Sequence, residues 1–283
     1  MNILDGTSLA RNIGEEMKKK VRDLGHKGIK PKLSIILVGN DPASVIYTAK
    51  KKKTCQEVGI ETELVHLGED TEEPKLIEML EDMAADDRTH GILVQLPLPG
   101  RIDENRILEA IPESKDVDGL NPRSLGKLLS GNEGFVPCTP KGVMKLLEHY
   151  GIPIEGKNAV IINRSNLVGK PLAMLMLRKS ATVTVCHSRT ADIESHTKGA
   201  DIIVTGVGKP DFLRADMIKT GAVIVDVGIC RSGGNICGDT DFDDLKDKAS
   251  YITPVPGGVG PMTVAMVMEN TVIAAEKSLE RQK

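Results

Sequence analysis

Residues 158–174 read NAVIINRSNLVGKPLAM. The apolar run NAVII (158–162) has strand composition, NRSNLV is a polar turn, and a helix opens near Gly169, six positions beyond Asn163. A strand, a tight turn and a helix N-terminus are what a dinucleotide site needs, because close backbone approach and free helix N–H groups hold a pyrophosphate. Asn163, Arg164, Ser165 and Gly169 are therefore the cofactor candidates of this turn. Asn163 stands where such a fingerprint starts with Gly, and it is a residue that tolerates left-handed backbone angles. Taken by itself the same stretch also reads as a simple tight turn.

Working outward, strands follow at ATVTVC (181–186), ADIIVT (200–205) and GAVIVDV (221–227), and a helix through KLLEHYG precedes. Upstream of the Gly- and Pro-containing stretch SGNEGFVPCTPKG (130–142) lies a first series. It runs LSIILV (33–38), a helix from about Ser44 to Val58, ETELVHL (61–67), a helix near 73–85, and GILVQLPLP. Both series alternate strand and helix, which predicts α/β architecture with largely parallel sheets. At 283 residues the chain has room for two domains with a cleft between them. After the turn-rich YITPVPGGVGP, a final amphipathic helix from near Met262 toward Ala275 is expected to return to the first domain. The expected division is 1–141 with 268–283 as one discontinuous domain, and 142–267 as a Rossmann-type domain.

The strand ATVTVC ends in His187, Ser188, Arg189 and Thr190, some 25 positions after Asn163. An NAD-preferring domain usually places an acid there for the ribose 2'-hydroxyl. A hydroxyl and a guanidinium, Ser188 and Arg189, with Arg164 from the preceding turn, suit a 2'-phosphate, so NADP is favoured over NAD. Solvated surface arginine is the other reading of these residues. TGVGKP (205–210) and DVGI (226–229) follow two more strands. Gly206, Gly208 and Ile229 are candidates for walls around the ribose and nicotinamide, although ordinary strand-to-loop turns use the same glycines.

In the first series, VGNDPASVIYTAKKKK starts a helix after a strand. Tyr47 and Lys51 stand four residues apart, so they share one helical face and one pocket. A lysine run also reads as a solvated face. Gln95 ends the strand GILVQ, and Asp118 lies in KDVDGLNP, both at junctions where functional groups gather. Asp116 and Asp118 also read as turn formers. TPVPGGVGPMT offers backbone amides without side-chain cover, or a stiff linker.

Composition excludes several classes. With no Trp, three Tyr and three Phe, base stacking has little to work with, and a net charge of -3 gives no basic field for nucleic acid. No segment reaches the roughly 18 apolar residues of a membrane span. Five cysteines without a C-x-x-C pair read as reduced cytosolic thiols, and MNILDGTSLARN shows neither signal nor transit peptide, so a cytoplasmic location is expected. The six histidines are scattered, and no metal site is expected.

Nine segments stand in order: VGNDPAS with Tyr47 and Lys51, GILVQLPLP, KDVDG, FVPCTPKG, RSNLVGKPL, CHSRT, VTGVGKP, VDVGI and YITPVPGGVGPMT. With them the chain resembles, over nearly its full length, the methylenetetrahydrofolate dehydrogenase/cyclohydrolases, bifunctional enzymes of folate metabolism. The resemblance implies that 1–141 with 268–283 binds folate and 142–267 binds NADP. It implies oxidation of 5,10-methylenetetrahydrofolate to the 5,10-methenyl cation, then hydrolysis to 10-formyltetrahydrofolate. Lys51 matches the family's catalytic lysine beside Gln95. Asp118 is implied to accept N–H bonds from the pterin's amino-pyrimidine edge, Tyr47 to pack on the substrate's aromatic ring, and Pro256, Gly257 and Gly258 to line the folate pocket. A homodimer joined through nucleotide-binding domains is implied as well. The chain departs from the family pattern at Asn163, commonly Gly, at Ser124, often Asn, and at Thr240, which replaces Val in G-D-V-D-F. Three other readings stay open: a dehydrogenase without hydrolysis, a non-catalytic dinucleotide sensor, and an NADP dehydrogenase of a small hydroxy acid.

Overall fold

The computed structural model of the protein describes residues 1–232 and 234–281, so the last two residues of the expected segment 268–283 lie outside the described residues. The first half runs β1 (Asn2–Ile3), α1 (Gly6–His26), β2 (Lys32–Val38), α2 (Pro42–Glu57), β3 (Glu61–Leu67), α3 (Glu73–Ala85), β4 (Gly91–Val94), α4 (Glu104–Ala110) and α5 (Pro122–Ser130). The second half runs α6 (Cys138–His149), β5 (Asn158–Ile162), α7 (Gly169–Arg178), β6 (Thr182–Cys186), α8 (Ile193–Thr197), β7 (Ile202–Thr205) and β8 (Val223–Asp226). It ends with β9 (Cys230–Ser232), β10 (Asn235–Cys237), α9 (Phe242–Leu245), β11 (Tyr251–Ile252) and α10 (Val259–Arg281).

Two compact units result. One comprises Arg11–Cys138 and the chain from Val264 onward; the other comprises Met1–Ala10 and Thr139–Thr263. Residues 1–10, placed with the first domain by the sequence reading, thus group with the second unit. The cause is β1, which pairs in parallel with β11, Ile3 opposite Ile252, and adds an edge strand to the second unit's sheet.

The first unit holds a three-stranded parallel sheet, ordered β3-β2-β4. Its central strand KLSIILV is buried almost throughout, as a parallel strand covered on both faces must be. Ile36, Ile92, Leu76, Leu80 and Ile107 meet in one core and are all fully buried. Each such side chain contributes about 1.5–3 kcal/mol by leaving water. With so few aromatics, Leu and Ile fill this role: every one of the largest fully buried side chains is one or the other.

The second unit holds a six-stranded sheet, ordered β1-β11-β8-β7-β5-β6, parallel at every pairing. β5 lies between β6 and β7, so the chain reverses its direction of build at β5. Such a switch point opens a crevice at the carboxyl edge of the sheet. Register puts Cys186, Ile162, Thr205 and Asp226 level with one another. The four loops that follow these residues therefore leave the same edge at the same height.

Candidate active site and nucleotide-binding loops

In the first unit α2 starts at the carboxyl end of β2. Asp41 caps it by accepting the Ser44 amide at 2.8 Å, and Pro42 occupies the first turn, where no N–H is needed. The buried stripe of α2 is Ser44, Thr48, Lys51 and Cys55. Three of these four are polar, which a helix packed for stability alone avoids. Thr48 satisfies itself on the Ser44 and Val45 carbonyls at 2.8 and 3.0 Å. Lys51, alone of the four consecutive lysines, is buried at 5 % exposure, and its Nζ donates to Gln95 Oε1 at 3.0 Å.

Gln95 follows β4 directly, its amide bonded to the Ile36 carbonyl at 2.8 Å and its Nε2 to the Leu96 carbonyl at 2.7 Å. The side chain is held at both ends, with its oxygen turned to Lys51. Tyr47, one turn before Lys51, is half-buried, and burial raises its phenol above the ordinary value, so it stays protonated at neutral pH. Burial likewise pushes the Cys55 thiol up to about 12, against the pull of the nearby Lys51 charge. It is an inert neighbour.

The two acids of KDVDG separate cleanly. Asp116, 1 % exposed, accepts the Leu120 and Asn121 amides at 3.1 and 2.9 Å and is the turn former. Burial raises its carboxyl above the usual range, against a hydrogen bond from Ser124 and those two amides. Ser124, one of the departures from the family pattern, thus bonds this turn. Asp118 is half-buried and has no hydrogen-bond partner among the described residues. A parallel bridge pairs Asp116 with Ile92, so the loop runs alongside β4 and carries Asp118 toward the sheet edge that holds Gln95. The loop is pinned from behind by Asn270 of α10, whose Nδ2 donates to the Val117 carbonyl at 2.8 Å. Gly119 has φ +70, and a Cβ there would meet the Val136 carbonyl carbon at 2.5 Å.

In the second unit Asn163 works through its side chain. Its backbone is not left-handed, which corrects the expectation that it replaces Gly for backbone freedom. Its Oδ1 accepts from the Ser165 amide, the Ser165 hydroxyl and the Gly169 amide at 2.9, 2.8 and 3.1 Å. Its Nδ2 donates to the Gly206 carbonyl at 2.6 Å, tying the loops after β5 and β7 together across the switch point. Gly169 is demanded by space, since a Cβ would stand 1.9 Å from the Asn163 carbonyl oxygen. At Gly206 it would meet Val227 Cγ2 at 2.7 Å, and Gly208 has φ +72. Arg164, Ser165, Ser188 and Arg189 are exposed, and Ile229 is 49 % exposed. After β6, Thr190 closes the turn by accepting the His187 amide at 2.9 Å, and Arg189 N–H donates to His187 Nδ1 at 3.2 Å.

Pro256, Gly257 and Gly258 form a turn after the cis Val255–Pro256 bond, with Gly257 at φ +115. The amides here are not all uncovered: Gly258 N–H donates to the Pro254 carbonyl at 2.8 Å, and the Gly257 carbonyl accepts the Thr7 amide at 3.0 Å.

Sequence reasoning missed two residues of this unit, Asp226 and Asp239, both fully buried carboxylates. In the sequence each looks like an ordinary turn acid within two residues of a glycine, and the available signal is that pairing itself, DVG and GD, in two segments beyond the strands of one sheet. Among the described residues no cluster of three metal-ligating side chains occurs, and no helix is long and apolar enough to cross a membrane.

A parallel sheet with a glycine-shaped turn and helix N-terminus at its switch point, together with a unit that buries a lysine against a fixed amide, defines a two-domain α/β enzyme using a nicotinamide dinucleotide. The chain belongs to the tetrahydrofolate dehydrogenase/cyclohydrolase family: residues 4–118 match its catalytic domain and residues 137–279 its NAD(P)-binding domain. A bifunctional FolD protein of Agathobacter rectalis is 50 % identical over 277 residues, 98 % of this chain and 99 % of that one. The crystal structure of the bifunctional FolD methylenetetrahydrofolate dehydrogenase/cyclohydrolase of Campylobacter jejuni superposes with a TM-score of 0.96. It has 51 % identity and covers 98 % of this chain and 99 % of its own. The Trypanosoma brucei FolD enzyme, solved with NADP and an inhibitor, gives a TM-score of 0.94 at 36 % identity and 98 % coverage of both chains.

Proposed function

We propose that the protein oxidises 5,10-methylenetetrahydrofolate to 5,10-methenyltetrahydrofolate with NADP, and then hydrolyses that product to 10-formyltetrahydrofolate. The observation that carries the reading is Lys51, buried on a helix of the family's catalytic domain with Nζ 3.0 Å from Gln95 Oε1.

In the hydrolysis water forms a C–O bond and the bond from that carbon to a ring nitrogen breaks; one water proton is passed to the departing nitrogen, and the other is released to solvent as the formyl group forms. Lys51 Nζ is assigned the passage of the proton from water to nitrogen, with Gln95 fixing its position. Tyr47, held as a neutral phenol, packs on the substrate's aromatic ring one helical turn away. Asp118 is assigned the amino-pyrimidine edge, two N–H groups on one carboxylate, a charge-assisted pairing that sets orientation. Its lack of a hydrogen-bond partner among the described residues, beside an Asp116 already committed to the turn, supports that role. Pro256, Gly257 and Gly258 are assigned to the wall of the folate pocket.

For the oxidation, the dinucleotide supplies the hydride acceptor when bound. The residues present fit it: Gly169 leaves a cradle that a single Cβ would fill, and the Gly206 and Gly208 loop follows the adjacent strand. Arg164, Ser188 and Arg189, exposed at the ends of β5 and β6 with no acid among residues 187–190, are assigned the 2'-phosphate, which favours NADP. Ile229 is assigned the nicotinamide side. We further assign the protein to the cytoplasm, consistent with five free cysteines, and to a homodimer through its nucleotide-binding units, which sedimentation would check.

The test is Lys51→Met. Decay of added methenyltetrahydrofolate should slow by about 10²- to 10⁴-fold. A folded variant that hydrolyses at the parental rate would remove Lys51 from the reaction.

A further inference from the structure

Asp226 and Asp239 are 1 % and 0 % exposed, and each accepts three hydrogen bonds. Asp239 takes the Thr205 hydroxyl at 3.0 Å, the Val207 amide at 2.5 Å and the Lys209 amide at 2.9 Å. It therefore holds the last residue of β7 and the loop that follows as far as Lys209. Asp226 takes the Gly228 amide at 2.8 Å, the Thr240 amide at 2.9 Å and the Thr240 hydroxyl at 2.8 Å. It fixes the loop after β8 and ties that loop to the segment carrying Asp239.

The two sets interlock through missing side chains. A Cβ on Gly228 would stand 2.2 Å from Asp239 Oδ1, and one on Gly238 would stand 2.2 Å from Asp226 Oδ2. From the other side, the Leu213 amide donates to the Asp239 carbonyl at 3.0 Å, and Leu213 bridges Thr240. Leu213 apart, all these partners belong to the loops 205–209 and 226–229 or to the segment 238–240.

We propose that Asp226 and Asp239 act as a pair of positioning residues that set the loops 205–209 and 226–229 for the dinucleotide. This rests on the assignment of Gly206, Gly208 and Ile229 to the cofactor. Only an ionised carboxylate offers acceptors alone; an amide in either place would face backbone N–H with its own NH₂. Two acids so close are costly to stability, since buried like charges repel. A merely structural turn has no need of both.

Burial, and next the Asp239 charge, push Asp226 up to about 6, while its bonds from Thr240 and Gly228 pull it back. The charged and titratable groups facing it are Asp239 and the Cys230 thiol, whose own value burial raises to about 12. As pH falls through about 6, Asp226 takes a proton and one of its acceptor positions is lost. Thr240 is where this chain departs from the family's Val, and its hydroxyl lowers the pH at which that happens.

The experiment measures NADPH dissociation constants between pH 5 and 8 for the parent, Asp239→Asn and Thr240→Val, with cofactor-free methenyltetrahydrofolate hydrolysis and thermal unfolding alongside. Asp239→Asn should weaken NADPH by on the order of tenfold, with hydrolysis losing far less. The ligand's 2'-phosphate titrates in the same range, so variants are compared with the parent at each pH. Thr240→Val should move the acid-side loss of affinity to higher pH. Parental NADPH affinity in Asp239→Asn, an unmoved profile in Thr240→Val, or equal losses of affinity and hydrolysis would each overturn the proposal. If Asp239→Asn does not fold, the Thr240→Val profile decides alone. A parent that binds no NADPH overturns the cofactor assignment and this proposal with it, whereas normal parental binding with insensitive variants overturns this proposal only.

Discussion

The helix α2 and the loops around β5, β7 and β8 solve different problems with different materials. On α2 the proposed chemistry rests on side chains at regular spacing, Tyr47 and Lys51 one turn apart, with Gln95 delivered from the end of a neighbouring strand. Around the second sheet the proposed grip on the dinucleotide rests on backbone, shaped by glycines that leave no room for a Cβ and by polar side chains turned inward. A proton-transfer site needs one atom placed well, whereas a dinucleotide site needs a surface several residues long. Substitutions should therefore act locally and chemically in the first region, and through shape in the second.

Asp118→Ala should have the largest effect of those that test this contrast. Losing a charge-assisted pair costs about 1.5–3 kcal/mol, so folate affinity falls about ten- to a hundredfold and both activities fall together, with NADPH affinity kept. Equilibrium binding of folate and of NADPH to the variant checks it. Unchanged folate affinity removes the assigned role.

Gly169→Ala should sharpen the other side. The methyl group overlaps the Asn163 carbonyl, so the turn and the start of α7 must shift. Overpacking of this kind costs about 1–3 kcal/mol, enough to lower the melting temperature by several degrees, and NADPH affinity should fall by about tenfold or more. Hydrolysis assayed without dinucleotide should fall less. A variant that binds NADPH like the parent would show that the turn is not the anion cradle.

Arg189→Ala is the smallest change. It removes one exposed guanidinium, and the preference for NADP over NAD should drop by about tenfold while the turnover number is kept. Steady-state kinetics with both dinucleotides read this directly, and an unaltered preference assigns the 2'-phosphate elsewhere.

The sequence disclosed much of this, unevenly. Strands NAVII and ETELVHL are legible to the residue, because β-branched runs between turn residues leave little ambiguity. Helix α10 begins at Val259, before the expected Met262, because Gly260 and Pro261 disguise a first turn that Pro tolerates. Helix α1 shows its stripe, Ile13, Met17, Val21 and Leu24, at helical spacing within a charged segment, a pattern that was there to be used. Strands β1 and β11 are two residues each, too short for any periodicity.

At the sites, spacing puts Tyr47 and Lys51 on one helical face and the role of Lys51 comes from the family resemblance, but nothing local says that Lys51 rather than Lys50 or Lys53 is the buried one. That choice comes from the packing of α2 against its sheet. Asn163 stands out in the sequence for its backbone, whereas it works through its amide, which makes three bonds inside its own turn and a fourth to a loop 43 residues away. Asp226 and Asp239 are illegible for a related reason: a buried acid is recognised by the donors around it, and all of these but Gly228 lie on other segments of the chain.

The most direct test of the central claim is one paired assay of the purified protein. Reduction of NADP and of NAD by 5,10-methylenetetrahydrofolate is followed at one wavelength, and decay of added methenyltetrahydrofolate at another. The account predicts reduction favouring NADP together with protein-dependent decay. Reduction without decay would leave a dehydrogenase alone and contradict the role of Lys51, and neither signal would contradict the account as a whole.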